Sequence, residues 1–291
     1  MKKIKLKYLL LILTLLLSLF TTSCGKTEPP PDHDGADEVD TEETVNDKEI
    51  YDKMQSVLLL GQSNMAGRGE LKEVEAINDD RIFMIRGENF VKMQEPIHDD
   101  KPDIAGVGLG ASFAKAFVET FDCEVGLIPG AFGGTSLADW KPGGYYYNRA
   151  LEMAKAAQDT SDICAILWHQ GESDLDNPDY TQELKKILDT FIKDLHLDEE
   201  KIVIVTGELA DLYYADYTVN KYLVDLGSFY ENYGVASAKD LSAWDWENYG
   251  HFDAPSLRVF GYRYFDIFYN KVTGKNYTYN NDPESYRIAA E

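Results

Sequence analysis

Positive charge and cysteine are both scarce in this 291-residue chain, and each scarcity removes a class of function. Twenty-eight Lys and Arg stand against 51 Asp and Glu, a formal net charge of −23. With no basic cluster beyond Lys7, a phosphate backbone would be repelled, so nucleic acid is not an expected partner. The three cysteines, Cys24, Cys123 and Cys164, are too few and too scattered for a disulfide framework or a thiolate zinc site. Cofactor signatures are missing as well. Gly106-Val-Gly-Leu-Gly110 follows no strand and reads as a tight turn into a helix rather than a dinucleotide loop. Asp174 and Asp176 lack a further ligand at metal-site spacing and read as solvated carboxylates. Neither a metal nor an organic cofactor is therefore expected. There is no internal repeat, and stability must come from packing, which the 44% apolar content supports.

The first 24 residues form a segment of their own. Lys2, Lys3, Lys5 and Lys7 precede an apolar run from Tyr8 to Phe20 that ends in small residues, the layout of an export signal too short for a membrane span. Its end, Thr21-Thr22-Ser23-Cys24, resembles a bacterial lipobox with Thr21 where Leu is usual. The resemblance implies a lipid anchor on Cys24 and a place at the cell surface or in the periplasm. Residues 25–49 are acidic, carry Pro29-Pro30-Pro31 and almost no bulky apolar side chain, and read as a solvated tether. Residues 50–291 form the remaining unit, one α/β domain.

In that unit, apolar runs of strand length alternate with segments of helical period, the pattern of a parallel sheet covered by helices on both faces. Ser56–Gly61, Arg81–Arg86, Cys123–Ile128, Ile163–Trp168 and Ile202–Thr206 read as buried strands. Leu184, Ile187, Leu188, Phe191, Ile192 and Leu195 fall on one helical face, as do Leu109, Phe113, Ala116, Phe117 and Phe121. A final helix is predicted from Asp253, its cap, with Pro255 in the first turn and an apolar stripe to Phe268. Such sheets bind ligands beyond the carboxyl ends of their strands, so the residues after each strand carry the functional reading.

The first strand runs into Gly61-Gln62-Ser63-Asn64-Met65, which is not the Gly-x-Ser-x-Gly elbow, yet puts a hydroxyl where a nucleophile would sit. Capping of a helix is the alternative role for Ser63. The third strand leads into Gly130-Ala-Phe-Gly133-Gly134-Thr135-Ser136, a glycine loop whose amides can approach a ligand. The fourth leads into His169-Gln170-Gly171-Glu172-Ser173-Asp174. Of the five histidines, His251 precedes the last helix in a polar, aromatic loop and is a candidate base for Ser63. Tyr145–Tyr147, Tyr213, Tyr214, Trp244 and Trp246 are aromatic candidates for stacking on a sugar.

These motifs, GQSNMAGRG at 61–69, GAFGGTSLADW at 130–140, WHQGESD at 168–174 and His251-Phe-Asp253, resemble the carbohydrate acetylesterases of the SGNH hydrolase superfamily. The nearest groups are the sialate O-acetylesterase-like proteins and carbohydrate esterase family six. The resemblance spans roughly residues 54–272. It implies a three-layer α/β/α sandwich with a parallel, flavodoxin-like sheet, and a metal-free serine esterase removing O-acetyl groups from plant polysaccharide, its oligosaccharides or sialic acid. Ser63 is then the nucleophile and His251 the base. The backbone N–H of Ser63, that of Gly133 or Gly134, and the Gln170 amide are oxyanion donors. Gln62, Asn64, His98 and His169 are candidates for lining the substrate pocket. Many relatives carry Asp three residues before the histidine; Asn248 stands there. Glu172 is the first choice for the acid, with Asp245 and Glu247 as alternatives. A surface lipoprotein that binds carbohydrate without turnover, and a GDSL-type lipase, are the competing readings.

Overall fold

A computed structural model describes residues 46–210, 218–243 and 250–289. The export signal, Cys24 and nearly all of the tether lie outside these residues, as do Tyr213, Tyr214, Trp244, Asp245, Trp246, Glu247 and Asn248. In chain order the elements are β1 (Gln55–Gly61), α1 (Ser63–Ala66), β2 (Ile82–Arg86), β3 (Asn89–Lys92), α2 (Gly110–Phe121), β4 (Val125–Pro129) and α3 (Tyr145–Gln158), then β5 (Asp162–His169), α4 (Tyr180–Asp194), β6 (Val203–Gly207), α5 (Val219–Leu226), β7 (Tyr233–Ala236) and α6 (Ala254–Thr273). The seven strands form one sheet in the order β3-β2-β4-β1-β5-β6-β7. Only β3 runs antiparallel, against β2.

The sheet is buried on both faces because its central strands are apolar at every position, not at alternate ones. In β1, Val57 and Leu59 enter one core with residues of α2 and α6, while Leu58 and Leu60 enter the other with residues of α3, α4 and α5. This is the expected three-layer α/β/α arrangement. The five predicted strands are present, displaced by one or two residues at their ends. β3 and β7 are additions to the sequence reading. β3 lies at the sheet edge and is largely exposed, so it lacks the apolar signal; β7 is a short run with two half-buried positions.

The termini of the unit differ slightly from the sequence reading. Residues Asp47–Glu49 form a 3₁₀ turn, and Tyr269 Oη donates to Asp47 at 2.7 Å, so the folded unit includes the last residues assigned to the tether. The last helix begins as predicted, with Asp253 accepting from the Ser256 N–H at 2.9 Å. Its mid-point carries Gly261, where a Cβ would lie 2.1 Å from Ser112 Oγ and 2.2 Å from Leu109 O, so the absence of a side chain lets α6 press against α2. Among the described residues, no helix is long and apolar enough to cross a membrane.

Gly261→Ala therefore sets two effects against each other. Helix propensity favours Ala by about 1 kcal/mol, but overpacking against backbone typically costs about 1–3 kcal/mol. Packing should win and lower the melting temperature by roughly 2–6 °C. A raised melting temperature would show that the two helices separate at little cost.

Candidate active site

β1 lies between β4 and β5, so the three polar loops of the sequence reading emerge side by side. The backbone then stitches them together. Leu60 pairs with Trp168 and Gly61 with His169 across the parallel ladder. Gln62 N–H donates to His169 O at 2.9 Å, and Phe132 N–H to Gly61 O at 3.0 Å. Gly61 has φ +120°, and a Cβ there would sit 2.1 Å from His169 O, so only glycine allows this crossing.

Ser63 opens α1, 6% exposed, at the carboxyl end of β1. Its Oγ lies 2.8 Å from His251 Nε2. The last helix delivers that histidine, because Asp253 caps α6 two residues later. Burial pushes the imidazolium pKa of His251 below its ordinary value of 6.5; Arg68 and Lys101 act in the same direction and Glu172 opposes them.

Glu172 is held close by, its side chain 4% exposed. Its Oε1 accepts from Asn64 Nδ2 at 2.7 Å and faces His169 Nε2 at 3.7 Å. Burial alone would raise this carboxyl, but His169 and Asn64 hold it below the usual carboxylate value. Among the described residues it makes no hydrogen bond to His251. Asp245 and Glu247, the alternative acids, lie outside the described residues.

Two of the expected oxyanion donors are committed elsewhere. The Gly133 N–H donates to Asp100 Oδ2 at 2.8 Å, and both protons of the Gln170 side chain are used, on Thr135 O at 3.1 Å and Asp174 Oδ2 at 2.5 Å. In each case the donor is buried, at Gly133 and at Gln170, and a carboxylate supplies the acceptor that such a donor requires. The Ser63 and Gly134 N–H groups have no acceptor among the described residues. Gly134, at φ +81°, is exposed.

The four candidates for lining the pocket are all interior residues: Gln62 is 4% exposed, His98 2%, Asn64 and His169 0%. Gln62, Asn64 and His169 lie at or directly behind strand ends, where the chain has not yet reached the surface. Asn64 binds Phe252 N–H and Gly250 O, His169 Nδ1 sits 3.1 Å from Tyr264 Oη, and burial pushes His98 down to about 3. Of the aromatic candidates, Tyr147 is core at 1% exposure and Tyr145 is open at 72%.

Three supporting residues escaped the sequence reading. Asp100 and Arg68 form an ion pair at 2.7 Å, with side chains 0% and 4% exposed, under the glycine loop. Stranding either charge would cost roughly 3–5 kcal/mol. Asp174 is no free surface carboxylate: besides Gln170 it accepts from Leu137 N–H at 2.9 Å. Its position inside the GESD run was the available signal, as was that of Arg68 inside GQSNMAGRG; Asp100 offered none, since pairing across 32 residues is set by the fold alone.

The sheet and its two helical layers have the SGNH hydrolase fold. A family model described as "Carbohydrate esterase, sialic acid-specific acetylesterase" matches residues 53–270. A relative from Arabidopsis thaliana, named "Probable carbohydrate esterase", is 30% identical over 174 residues, 51% of this chain and 67% of its own length. The X-ray structure of an Arabidopsis thaliana protein gives a TM-score of 0.66 at 25% identity, covering 74% of this chain and 98% of that one. NanS, at 14% identity, gives 0.59 and covers 75% and 97%; a carbohydrate acetylesterase from Xanthomonas citri, at 16%, gives 0.54 and covers 77% and 57%. The chain belongs to the carbohydrate esterase family of sialic acid-specific acetylesterases, and it is a carboxylic ester hydrolase.

The electrostatics around His251 can be read directly by NMR. Its imidazole should titrate below 6.5, and Glu172→Gln should move the midpoint lower still, because the opposing negative charge is lost. A midpoint that stays put in that variant would show that the carboxylate does not act on the ring.

Proposed function

We propose that the protein removes O-acetyl groups from carbohydrate, with Ser63 as nucleophile and His251 as general base. The contact of 2.8 Å between His251 Nε2 and Ser63 Oγ carries this reading. Ser63 Oγ attacks the acetyl carbonyl carbon while His251 Nε2 takes the hydroxyl proton. The carbonyl oxygen becomes an oxyanion facing the free N–H groups of Ser63 and Gly134. The tetrahedral intermediate collapses, the sugar oxygen leaves with the proton held on His251, and an acetyl-Ser63 ester remains. Water, deprotonated by the same nitrogen, attacks the acyl carbon; the bond to Ser63 Oγ then breaks, that oxygen takes the proton back from His251, and acetate leaves. His251 must be neutral to begin, so its depressed pKa keeps it competent at mildly acidic pH.

Glu172 is the acid in this reading, its charge raising the pKa of the His251 imidazolium and so steadying it without a direct hydrogen bond. The substrates we propose are acetylated xylan or other plant polysaccharide, its oligosaccharides, or sialic acid. The Tyr145 ring, open to solvent, is a candidate platform for a sugar. The sequence of residues 1–24 supports export and a lipid anchor on Cys24, with the acidic tether setting the domain away from the membrane. The Ser63–His251 contact favours turnover over a purely binding role.

Ser63→Ala should lower kcat on a small aryl acetate on the order of a thousandfold or more while the protein melts normally. A near wild-type rate would remove Ser63 from the chemistry. Glu172→Gln should cost on the order of a hundredfold, more than Asp245→Asn or Glu247→Gln; the reverse ranking would move the acid to the histidine loop. Acetate release from acetylated xylans, glucomannans and O-acetylated sialic acids then identifies the substrate, and no release from any of them would overturn the carbohydrate assignment.

A further inference from the structure

The amide of Asn64 does something that neither a pocket wall nor a helix turn requires. It is 0% exposed, and its two ends meet the backbone on both sides of His251: Oδ1 accepts from Phe252 N–H at 3.1 Å and Nδ2 donates to Gly250 O at 3.4 Å. The second Nδ2 proton goes to Glu172 Oε1 at 2.7 Å. One side chain, next in sequence to the nucleophile, therefore touches the residue before the base, the residue after it and the nearby acid.

The orientation of this amide is fixed by chemistry. A backbone N–H can only donate and an ionised carboxylate can only accept, so the oxygen must face Phe252 and the nitrogen Glu172. Rotating the amide by half a turn would set its oxygen against the carboxylate. Glu172 is itself braced by His169 at 3.7 Å, and the Phe252 ring packs edge-on against His169 and Phe260 at 5.9 and 5.0 Å. The histidine loop thus meets the rigid end of β1 through Asn64, and among the described residues the charged or titratable groups acting on this cluster are His169, Glu172, His251, Arg68, Lys101, Tyr180 and Tyr264.

We propose that Asn64 is a positioning residue that registers His251 on Ser63 by clasping Gly250 and Phe252, and that Glu172 holds the Asn64 amide in the one orientation that does so. This inference rests on the reading of Ser63 and His251 as nucleophile and base. It gives Glu172 a second duty besides its charge, and it explains why an acid can serve this histidine without touching the ring.

The test is a direction reversal. Asn64→Asp keeps the acceptor for Phe252 but opposes two carboxylates, which repel when both are ionised and share a proton at lower pH. On a small aryl acetate near pH 8, kcat should fall at least tenfold with KM within about threefold, and the loss should shrink as the pH is lowered, so the optimum moves to the acid side of wild type. Adding Glu172→Gln restores the hydrogen bond, with the glutamine amide donating to the introduced carboxylate. Measured against Glu172→Gln alone, adding Asn64→Asp should therefore cost less than threefold in kcat at pH 8, against at least tenfold in the wild-type background, and should not move the optimum to acid. A kcat within threefold of wild type across the range in Asn64→Asp and in Asn64→Ala overturns the proposal, as does an Asn64→Asp loss that is independent of pH and equally large in the Glu172→Gln background. If the single variant does not fold, the double variant and Asn64→Ser, which retains one polar group, decide by the same kcat-to-KM split. Ser63→Ala is assayed alongside: activity surviving there overturns the reading of Ser63 as the nucleophile, whereas an inactive Ser63→Ala beside active Asn64 variants overturns only this proposal.

Discussion

The crossing of Gly61 over His169 is the constraint from which the site follows. Because β1 and β5 pair in parallel with Gly61 opposite His169, the residues after each strand emerge as neighbours, Ser63 and Asn64 on one side and Gln170 to Glu172 on the other. A side chain at position 61 would push the two backbones apart by more than any hydrogen bond of the ladder could tolerate. Everything that approaches later, the glycine loop from β4 and the histidine loop before α6, is fitted to that junction. The arrangement places the rigid part of the molecule under the nucleophile and leaves the base to be brought in by tertiary contacts.

Those contacts are polar and buried, which gives them their weight. Water could satisfy neither the Asn64 amide nor the Glu172 carboxylate at this depth, so each partner that is lost leaves a group unpaired. The same holds for Arg68 and Asp100 beneath Gly133. The chain as a whole is strongly acidic, but among the described residues both signs act on the His251 ring, Arg68 and Lys101 on one side and Glu172 on the other. Burial first, and then these local charges rather than the net charge of −23, set the protonation of the base.

Much of this was legible in the sequence, and the parts that were not share a cause. The central strands announce themselves as continuous apolar runs because both of their faces are buried. β3 does not, because it has only an edge to cover. Ser63, His251 and the three loops could be placed because each directly follows or precedes an element whose position the apolar pattern reveals. The assignment of individual donors could not be made that way. Gly133 and Gln170 carry the right groups for binding an oxyanion, but their protons go to Asp100 and Asp174, and nothing local to a glycine or a glutamine says which acceptor lies across the fold. Likewise Asn64 and His169 have the chemistry of pocket residues and the burial of core, since they stand at the points where strands have ended but the interior has not.

The matched family region, residues 53–270, is shorter than the structure that supports it. Beyond its far end, Ile288 N–H donates to Glu73 O at 2.8 Å and Arg287 bridges to Asp253 at 2.8 Å, the very residue that caps α6 after His251. Before its near end, Asp47 receives Tyr269 and Lys275, each at 2.7 Å. Homology and mechanical integrity therefore have different borders in this protein. A domain trimmed to the recognisable esterase sequence would keep every reacting group and lose the two clasps that close the ends of the last helix. The flanks would then be free to diverge in sequence only as far as they go on gripping that helix.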